Sequence, residues 1–136
     1  MRRLRAITGD LMRYDLIFLT TALLCLLVGE GVGIYMGIAQ DFLLSPAHAH
    51  LNVLGWVTLA AFGLIHRAYP ALSASRLAGV QCALAVAANI AMPAGLAMML
   101  LGYDATLLKI ASLAVILATG LFALMFVRKV ALARAA

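Results

Sequence analysis

The chain has 136 residues, of which 66% are hydrophobic and 11% are charged, and its formal net charge is +5. This composition is too apolar for a soluble domain of this length, and it excludes ordinary soluble-enzyme chemistry. Four stretches are long enough to cross about 30 Å of hydrocarbon as helices. We therefore predict one all-α integral membrane domain over residues 1–136, an antiparallel up-down bundle with four transmembrane helices at about 15–38, 47–67, 77–101 and 105–127.

The basic residues predict the orientation of this bundle. Nine of the ten Lys and Arg residues flank the spans on one side, namely Arg2, Arg3, Arg5, Arg13, Arg67, Arg76, Arg128, Lys129 and Arg134. The loops on the other side carry Asp41 and Asp104 and no basic residue. By the positive-inside rule, both termini and the middle loop are expected on the cytoplasmic side of a bacterial-type inner (plasma) membrane. The net charge therefore indicates topology in a lipid membrane and not nucleic-acid binding.

The first span carries glycines at every fourth position, Gly29, Gly33 and Gly37. We predict that they form a groove in which a neighbouring helix, or another large flat group, approaches the backbone. Glu30 is expected along the same groove, since residues 30, 33 and 37 share a helix face. An ionised carboxyl inside a span costs at least about 2.5 kcal/mol, so Glu30 should be paired, protonated or facing a polar cavity. Its purely structural interpretation is a neutral side chain that is hydrogen-bonded to a neighbouring helix.

The second span opens with SPAHAHLNVLGW at residues 45–56. Pro46 suits a first helical turn and Ser45 suits its cap, which places His48 and His50 near the outer surface. In a regular helix, side chains two residues apart point about 200° away from each other, so the spacing alone is a weak chelate signal. The stripe of His48 contains Asn52, Gly55, Leu59, Phe62 and His66, and the stripe of His50 contains Leu54, Val57, Ala61 and Leu64.

The other polar and aromatic residues of this span have plain structural interpretations. Asn52 can bond across helices. Trp56 lies deeper than the usual interfacial belt of tryptophans. His66, beside Arg67 at the cytoplasmic end, is interpreted as an interface residue.

The third and fourth spans add a few candidate polar groups. Pro93 is expected to kink the third helix, because it removes one backbone hydrogen bond. Met92 and Met99 share a side of that helix with Asn89, although methionines are ordinary core fillers. Lys109 in the fourth span is expected to snorkel outward or to pair with an acidic side chain.

The predicted spans place most of the costly polar groups in one leaflet. In antiparallel order, the outer half contains Glu30, His50, Asn52, Met92, Met99 and Lys109. The cytoplasmic half is expected to be almost purely apolar. Polar groups that are costly to bury are rarely concentrated in one leaflet unless they bind a ligand, a proton or an ion.

The segment PAHAHLNVLGWVTLAAFGLIHRAYP resembles the second transmembrane helix of the heme–copper oxidase (cytochrome c oxidase) subunit I superfamily and its smaller relatives. The resemblance covers about a fifth of the chain and is carried chiefly by HAHLNxLGW. In that family a histidine near the outer end of this helix ligates a heme iron. The resemblance implies a b-type heme near the outer leaflet, with cofactor-binding residues His50, His48, Asn52, Trp56, Gly33 and Glu30.

His50 is the first choice as axial ligand, because its apolar stripe suits a porphyrin. His48 would be a second ligand or a partner of the propionates. The chain is about the size of one of the three four-helix arcs of the large subunit, and it lacks that family's copper-ligand histidines. A homo-oligomer could supply a second histidine, or the sixth position could be Met, open to gas or unused. The second nitrogen of the ligating histidine would need a partner, such as a carbonyl at the start of the helix.

The leading hypothesis is an oligomeric heme protein that transfers electrons, with a redox partner protein, or binds oxygen or nitric oxide. A copper protein using His48, His50, Met92 and Met99 is a first alternative. A second is a proton-coupled exporter that resembles the small multidrug-resistance family, with Glu30 as its titrating group. A third is a structural or assembly subunit without a cofactor. Whether the protein turns over a substrate, as an oxidoreductase, is left open.

Overall fold

The computed structural model describes residues 12–131, and over this range the chain is helical with no strands. Its four long helices are α1 (Tyr14–Ala39), α2 (Ser45–Ala68), α3 (Ala78–Leu100) and α4 (Thr106–Ala131), each long and apolar enough to cross a membrane. The four predicted helices are therefore confirmed, with ends that differ from the prediction by a few residues. Arg2, Arg3, Arg5 and Arg134, which contribute to the predicted orientation, lie outside the described residues.

Close approaches between helices show that neighbours run in opposite directions. Gly33, in the second half of α1, faces His48 in the first turn of α2, and Gly63 near the end of α2 faces Phe18 near the start of α1. Gly95, near the end of α3, lies against the backbone of Leu108 near the start of α4. The bundle is therefore up-down, and its two ends differ. We call the end with the 40–44 and 101–105 loops the histidine end, and the end with the 69–77 loop the basic end.

Helix α2 changes its hydrogen-bonding pattern directly after the two histidines. Ser45–His50 is α-helical, Leu51–Thr58 is a π-helix, and Leu59–Ala68 is α-helical again. The Thr58 hydroxyl donates to the Val53 carbonyl five residues earlier, at 2.8 Å. Pro46 lies in the first turn as predicted, but no side chain caps that turn, so the cap assigned to Ser45 is wrong. A wide turn inside an α-helix often accompanies a functional site.

The densest part of the core lies toward the basic end, where three phenylalanines from three helices meet. Phe62 of α2 stacks on Phe122 of α4 with ring centroids 4.1 Å apart, and Phe18 of α1 meets Phe62 edge-on at 5.7 Å. These rings are 0–6% exposed. Such pairs add specific ring geometry to ordinary packing. The three rings therefore join α1, α2 and α4 toward the basic end.

Candidate functional site, an apolar groove beside His48

A groove of about 270 Å³ opens between α1, α2 and α3 near the histidine end. Its walls include Val28 and Val32 of α1, Leu51 of α2, and Ile90 and Pro93 of α3. Among the described residues that line it, His48 is the only one with a polar side chain. The groove therefore presents a single imidazole to an otherwise aliphatic space.

Two glycines of α1 make room for the polar residues of α2. A Cβ atom at Gly33 would lie 3.1 Å from His48 Cε1, and a Cβ atom at Gly29 would lie 2.7 Å from Asn52 Oδ1. At Gly37 such an atom would meet nothing within 4 Å. The predicted glycine groove is thus confirmed for Gly29 and Gly33 and wrong for Gly37. Its occupants are the side chains of His48 and Asn52.

Asn52 lies against the imidazole of His48. Its Nδ2 donates to the His48 carbonyl oxygen at 3.0 Å and lies 3.4 Å from each nitrogen of the His48 ring. The bond follows the i, i+4 spacing on one helix, so Asn52 does not make the cross-helix bond that its structural interpretation proposed. With Gly33 on one side and Asn52 on the other, the half-buried imidazole is held at the edge of the groove.

His50 lies outside this groove but has a defined partner of its own. Its Nδ1 is 2.8 Å from the Pro46 carbonyl oxygen. A neutral imidazole that donates its Nδ1 proton to this carbonyl keeps a lone pair on Nε2, which is the tautomer that binds a metal. Its predicted stripe faces outward, since Val57 and Leu64 are 55% and 57% exposed. His50 is the ligand expected from the sequence, whereas His48 is the histidine that lines the apolar groove.

The remaining predicted site residues do not gather in the groove. Met92 is half-buried and Met99 is exposed, and neither lines the groove. Trp56 is half-buried and packs against the core. Lys109 is exposed on α4.

Glu30 corrects an expectation about α1. The helix turns Gly29 and Gly33 toward α2, and this leaves Glu30 exposed on the surface instead of along the glycine groove. Within residues 12–131, Glu30 has no ion pair. The placement of Glu30 beside Gly33 on the groove is therefore wrong.

His66 was assigned to the membrane interface, and this assignment is wrong. Its side chain is 1% exposed, and its ring centroid lies 6.0, 5.5 and 5.8 Å from those of Tyr14, Phe18 and Phe122. Its Nδ1 is 3.0 Å from the Ser73 hydroxyl oxygen, whereas its buried Nε2 has no partner among the described residues. The signal was present in the sequence, because His66 continues the buried stripe of Leu59 and Phe62.

Two amides of α3 were also missed as buried polar groups. Gln81 and Asn89 are fully buried, and Asn89 Nδ2 donates to the Ala85 carbonyl oxygen at 2.7 Å. Both amide atoms of Gln81 and the Oδ1 of Asn89 lack a partner within residues 12–131. Together with His66, Gln81 shows that the half of the bundle toward the basic end is not purely apolar. Buried polar atoms of this kind are normally satisfied, by ordered water if not by protein.

The donor set decides which kind of metal site fits. The described part of the chain contains no cluster of three or more His, Cys, Asp or Glu side chains. An ion held by protein ligands alone commonly needs three or four of them. A heme iron is already held by its porphyrin and takes one or two axial ligands from the protein. One imidazole in an aliphatic groove is thus fewer than the three or four ligands that such an ion commonly needs and is enough for one axial bond to a heme iron.

Comparison of the chain with protein-family models, with curated proteins and with solved structures finds no match. The likeness of residues 46–70 to the heme–copper oxidase helix therefore stays a prediction.

Proposed function

We propose that this chain is a heme-binding protein of the inner (plasma) membrane, with both termini cytoplasmic and the histidine end in the outer leaflet. The proposal is carried by one observation, the lone imidazole of His48 in an aliphatic groove between three helices. An apolar wall excludes water from a macrocycle, and the imidazole supplies the axial bond to iron. The basic residues of the sequence lie mostly at one end of the bundle, and by the positive-inside rule this end faces the cytoplasm.

The groove is small for a heme, so the proposal has the heme shared between copies of the chain. Its volume of about 270 Å³ lies just below the usual range for small-molecule sites, about 300–1,000 Å³. It would therefore hold one edge of a porphyrin, and the rest of the ring would lie against lipid or a second copy. His50, on the outer side of α2 with its Nε2 free to ligate, suits the second axial position from such a copy.

The number of axial histidines separates the two chemistries that this site can perform. Iron with two imidazoles transfers electrons to a redox partner protein. Iron with one imidazole and an open position binds oxygen or nitric oxide. His48 supplies the ligand in both cases, and His50 distinguishes them.

Absorption spectra test the proposal directly. Wild type expressed with ample heme should show a Soret band and, after dithionite reduction, α and β bands. His48→Ala should abolish these bands. His50→Ala should convert a six-coordinate spectrum to a five-coordinate one, or change nothing if the site is open to gas. His66→Phe, a matched control in the sealed core, should keep the wild-type spectrum.

Two outcomes would count against a heme held by His48. A colourless wild-type protein rejects the cofactor, and copper found in it by elemental analysis would support the copper alternative. Bands that survive in His48→Ala but vanish in His50→Ala would keep the heme and move its ligand to the outer face of α2.

A further inference from the structure

Three basic side chains surround one cavity at the basic end. The cavity has a volume of about 260 Å³ and lies between the 69–77 loop and the last turns of α4. Arg76 from the loop and Arg128 and Lys129 from α4 line it. No carboxylate is among its lining residues, and none of the three cations has an ion pair with a residue between 12 and 131. The cavity therefore concentrates positive charge without internal compensation.

A neighbouring cavity at the same end contains a carboxylate beside its basic side chains. It has about 240 Å³ and is also lined by two arginines, Arg13 and Arg67, but Asp15 lines it too. Arg13 Nε lies 3.0 Å from Asp15 Oδ1, with a second bond from Nη2 to Oδ2 at 3.0 Å. One carboxylate thus offsets part of the positive charge in this cavity, whereas no carboxylate lines the cavity of Arg76, Arg128 and Lys129. A cavity lined by one sign of charge raises the local concentration of ions of the opposite sign.

Backbone hydrogen bonds fix the loop that carries Arg76. The loop is fixed by turns in which Ser75 N donates to the Leu72 carbonyl at 3.0 Å and Ala78 N donates to the Ser75 carbonyl at 3.1 Å. Leu72 itself is fully buried and anchors the loop. Helix α3 begins at Ala78, directly after the cavity residue Leu77, so the positive end of its dipole adds to the field of the three side chains.

The lining also matches a ligand at a membrane surface. Leu77 and Met125 form the apolar part of the wall, and the Ser75 hydroxyl adds a neutral donor beside the cations. Phosphate oxygens are recognised by Arg and Lys through charge-assisted hydrogen bonds. Basic pockets between membrane helices on the cytoplasmic side are sites for anionic lipid headgroups.

We propose that this cavity is a phosphate-binding site, with Arg76, Arg128 and Lys129 as the groups that contact the phosphate. The phosphate would belong to an anionic phospholipid or to a soluble phosphate compound, since both present the same oxygens. The site is separate from the groove of His48 and does not depend on heme.

The test measures lipid binding by native mass spectrometry of detergent-solubilised protein, in which orientation in a membrane plays no part. Phosphatidylglycerol is titrated against wild type, Lys129→Gln and the double variant Arg76→Gln/Arg128→Gln, with phosphatidylcholine as the neutral lipid. Each removed charge should weaken the first bound phosphatidylglycerol about five-fold, so the double variant should lose about 25-fold. Arg67→Gln, the matched control from the neighbouring cavity that Asp15 also lines, should stay within about two-fold of wild type.

Inorganic phosphate identifies the source of the ligand. If millimolar phosphate displaces phosphatidylglycerol from wild type, the site takes soluble phosphate; if it does not, the site takes the lipid. Both results support the proposal provided that the double variant loses binding.

Equal weakening in Arg67→Gln, or unchanged binding in the double variant, would overturn it, because binding would then follow the total charge of this end. Arg76→Lys/Arg128→Lys keeps the charge and should keep most of the affinity. The helix content of each variant, measured by circular dichroism, shows that it is folded.

Discussion

Two histidines on one stripe of α2 have opposite environments. His48 is half-buried at the edge of an aliphatic groove, where α1 presents the bare backbone of Gly33. His66 is 1% exposed in a cage of aromatic rings, where α1 presents Phe18. The side chain is the same and both imidazoles lie against α1, so the residues of the neighbouring helices decide the surroundings of each. Gly33 leaves room for the imidazole at the edge of the groove, whereas the aromatic residues enclose the other imidazole in protein.

The two environments should respond differently to substitution in stability and in ligand binding. Substitutions in the aromatic cluster should lower stability and leave ligand binding alone while the protein is folded. Substitutions around the groove should disturb ligand binding at a smaller cost in stability. The predictions below separate these two effects.

The largest effect is expected for Phe62→Ala in the aromatic cluster. The change removes the ring stacked on Phe122 at 4.1 Å and the edge-on contact with Phe18. We expect a loss of about 3 kcal/mol in the free energy of unfolding, because a buried cavity remains. The measurement is reversible unfolding in detergent micelles. Leu64→Ala, on the exposed face of the same helix, is the control and should change stability by less than about 0.5 kcal/mol. Similar losses in both variants would contradict the distinction between core and surface.

A smaller but more specific effect is expected for Gly33→Ala beside the groove. The new methyl group would lie 3.1 Å from His48 Cε1, so the imidazole must shift. Gly37→Ala makes the same chemical change where nothing lies within 4 Å, and both substitutions gain the same helix propensity. Relative to Gly37→Ala, Gly33→Ala should cost about 1 kcal/mol and lower the heme content of the purified protein. Equal heme content in the two variants would show that His48 does not need this position.

The helices themselves could be predicted because their signal is local. A run of some 20 apolar residues indicates a span regardless of its neighbours, and the expected spans at 15–38 and 47–67 correspond to Tyr14–Ala39 and Ser45–Ala68. The contact between His48 and Asn52 follows from the same local rule, since side chains four residues apart meet on a helix.

Which face of each helix is turned toward its neighbours, and which residues surround that face, could not be predicted in this way. Gly29 and Glu30 are adjacent in sequence, yet one is buried against α2 and the other is exposed, and only the packing of two helices decides which. The burial of His66 depends on Phe18 and Phe122, which come from helices distant in sequence. The π-helix at Leu51–Thr58 also departs from the regular geometry on which the stripes were drawn.

The hydrogen bond between His66 and Ser73 gives a third prediction, with an effect on stability no larger than that of Gly33→Ala. Ser73→Ala should cost about 1 kcal/mol of unfolding free energy, because it leaves Nδ1 of His66 without its partner 3.0 Å away. His66→Phe/Ser73→Ala replaces both partners with apolar groups in an aromatic cage, so it should be close to wild type in stability. Double-variant stability below that of Ser73→Ala would show that the imidazole contributes through its unpartnered Nε2, for example by binding an ordered water. The spectrum should stay unchanged throughout, which keeps this end of α2 distinct from the groove.

The smallest effect is expected at the start of α4, in the 101–105 loop of the histidine end. Asp104 Oδ1 accepts a hydrogen bond from Thr106 N at 2.8 Å, and the side chain and backbone of Thr106 hold the pKa of Asp104 below its ordinary value of 3.8. A lowered pKa in the folded state means that this stabilisation is complete above pH 3.8 and is lost as the pH falls through the lower, folded value. Asp104→Asn removes the titration and keeps an acceptor oxygen, so the unfolding free energy of wild type should decline more steeply than that of the variant below about pH 4. Identical slopes would show that Asp104 does not stabilise the start of α4.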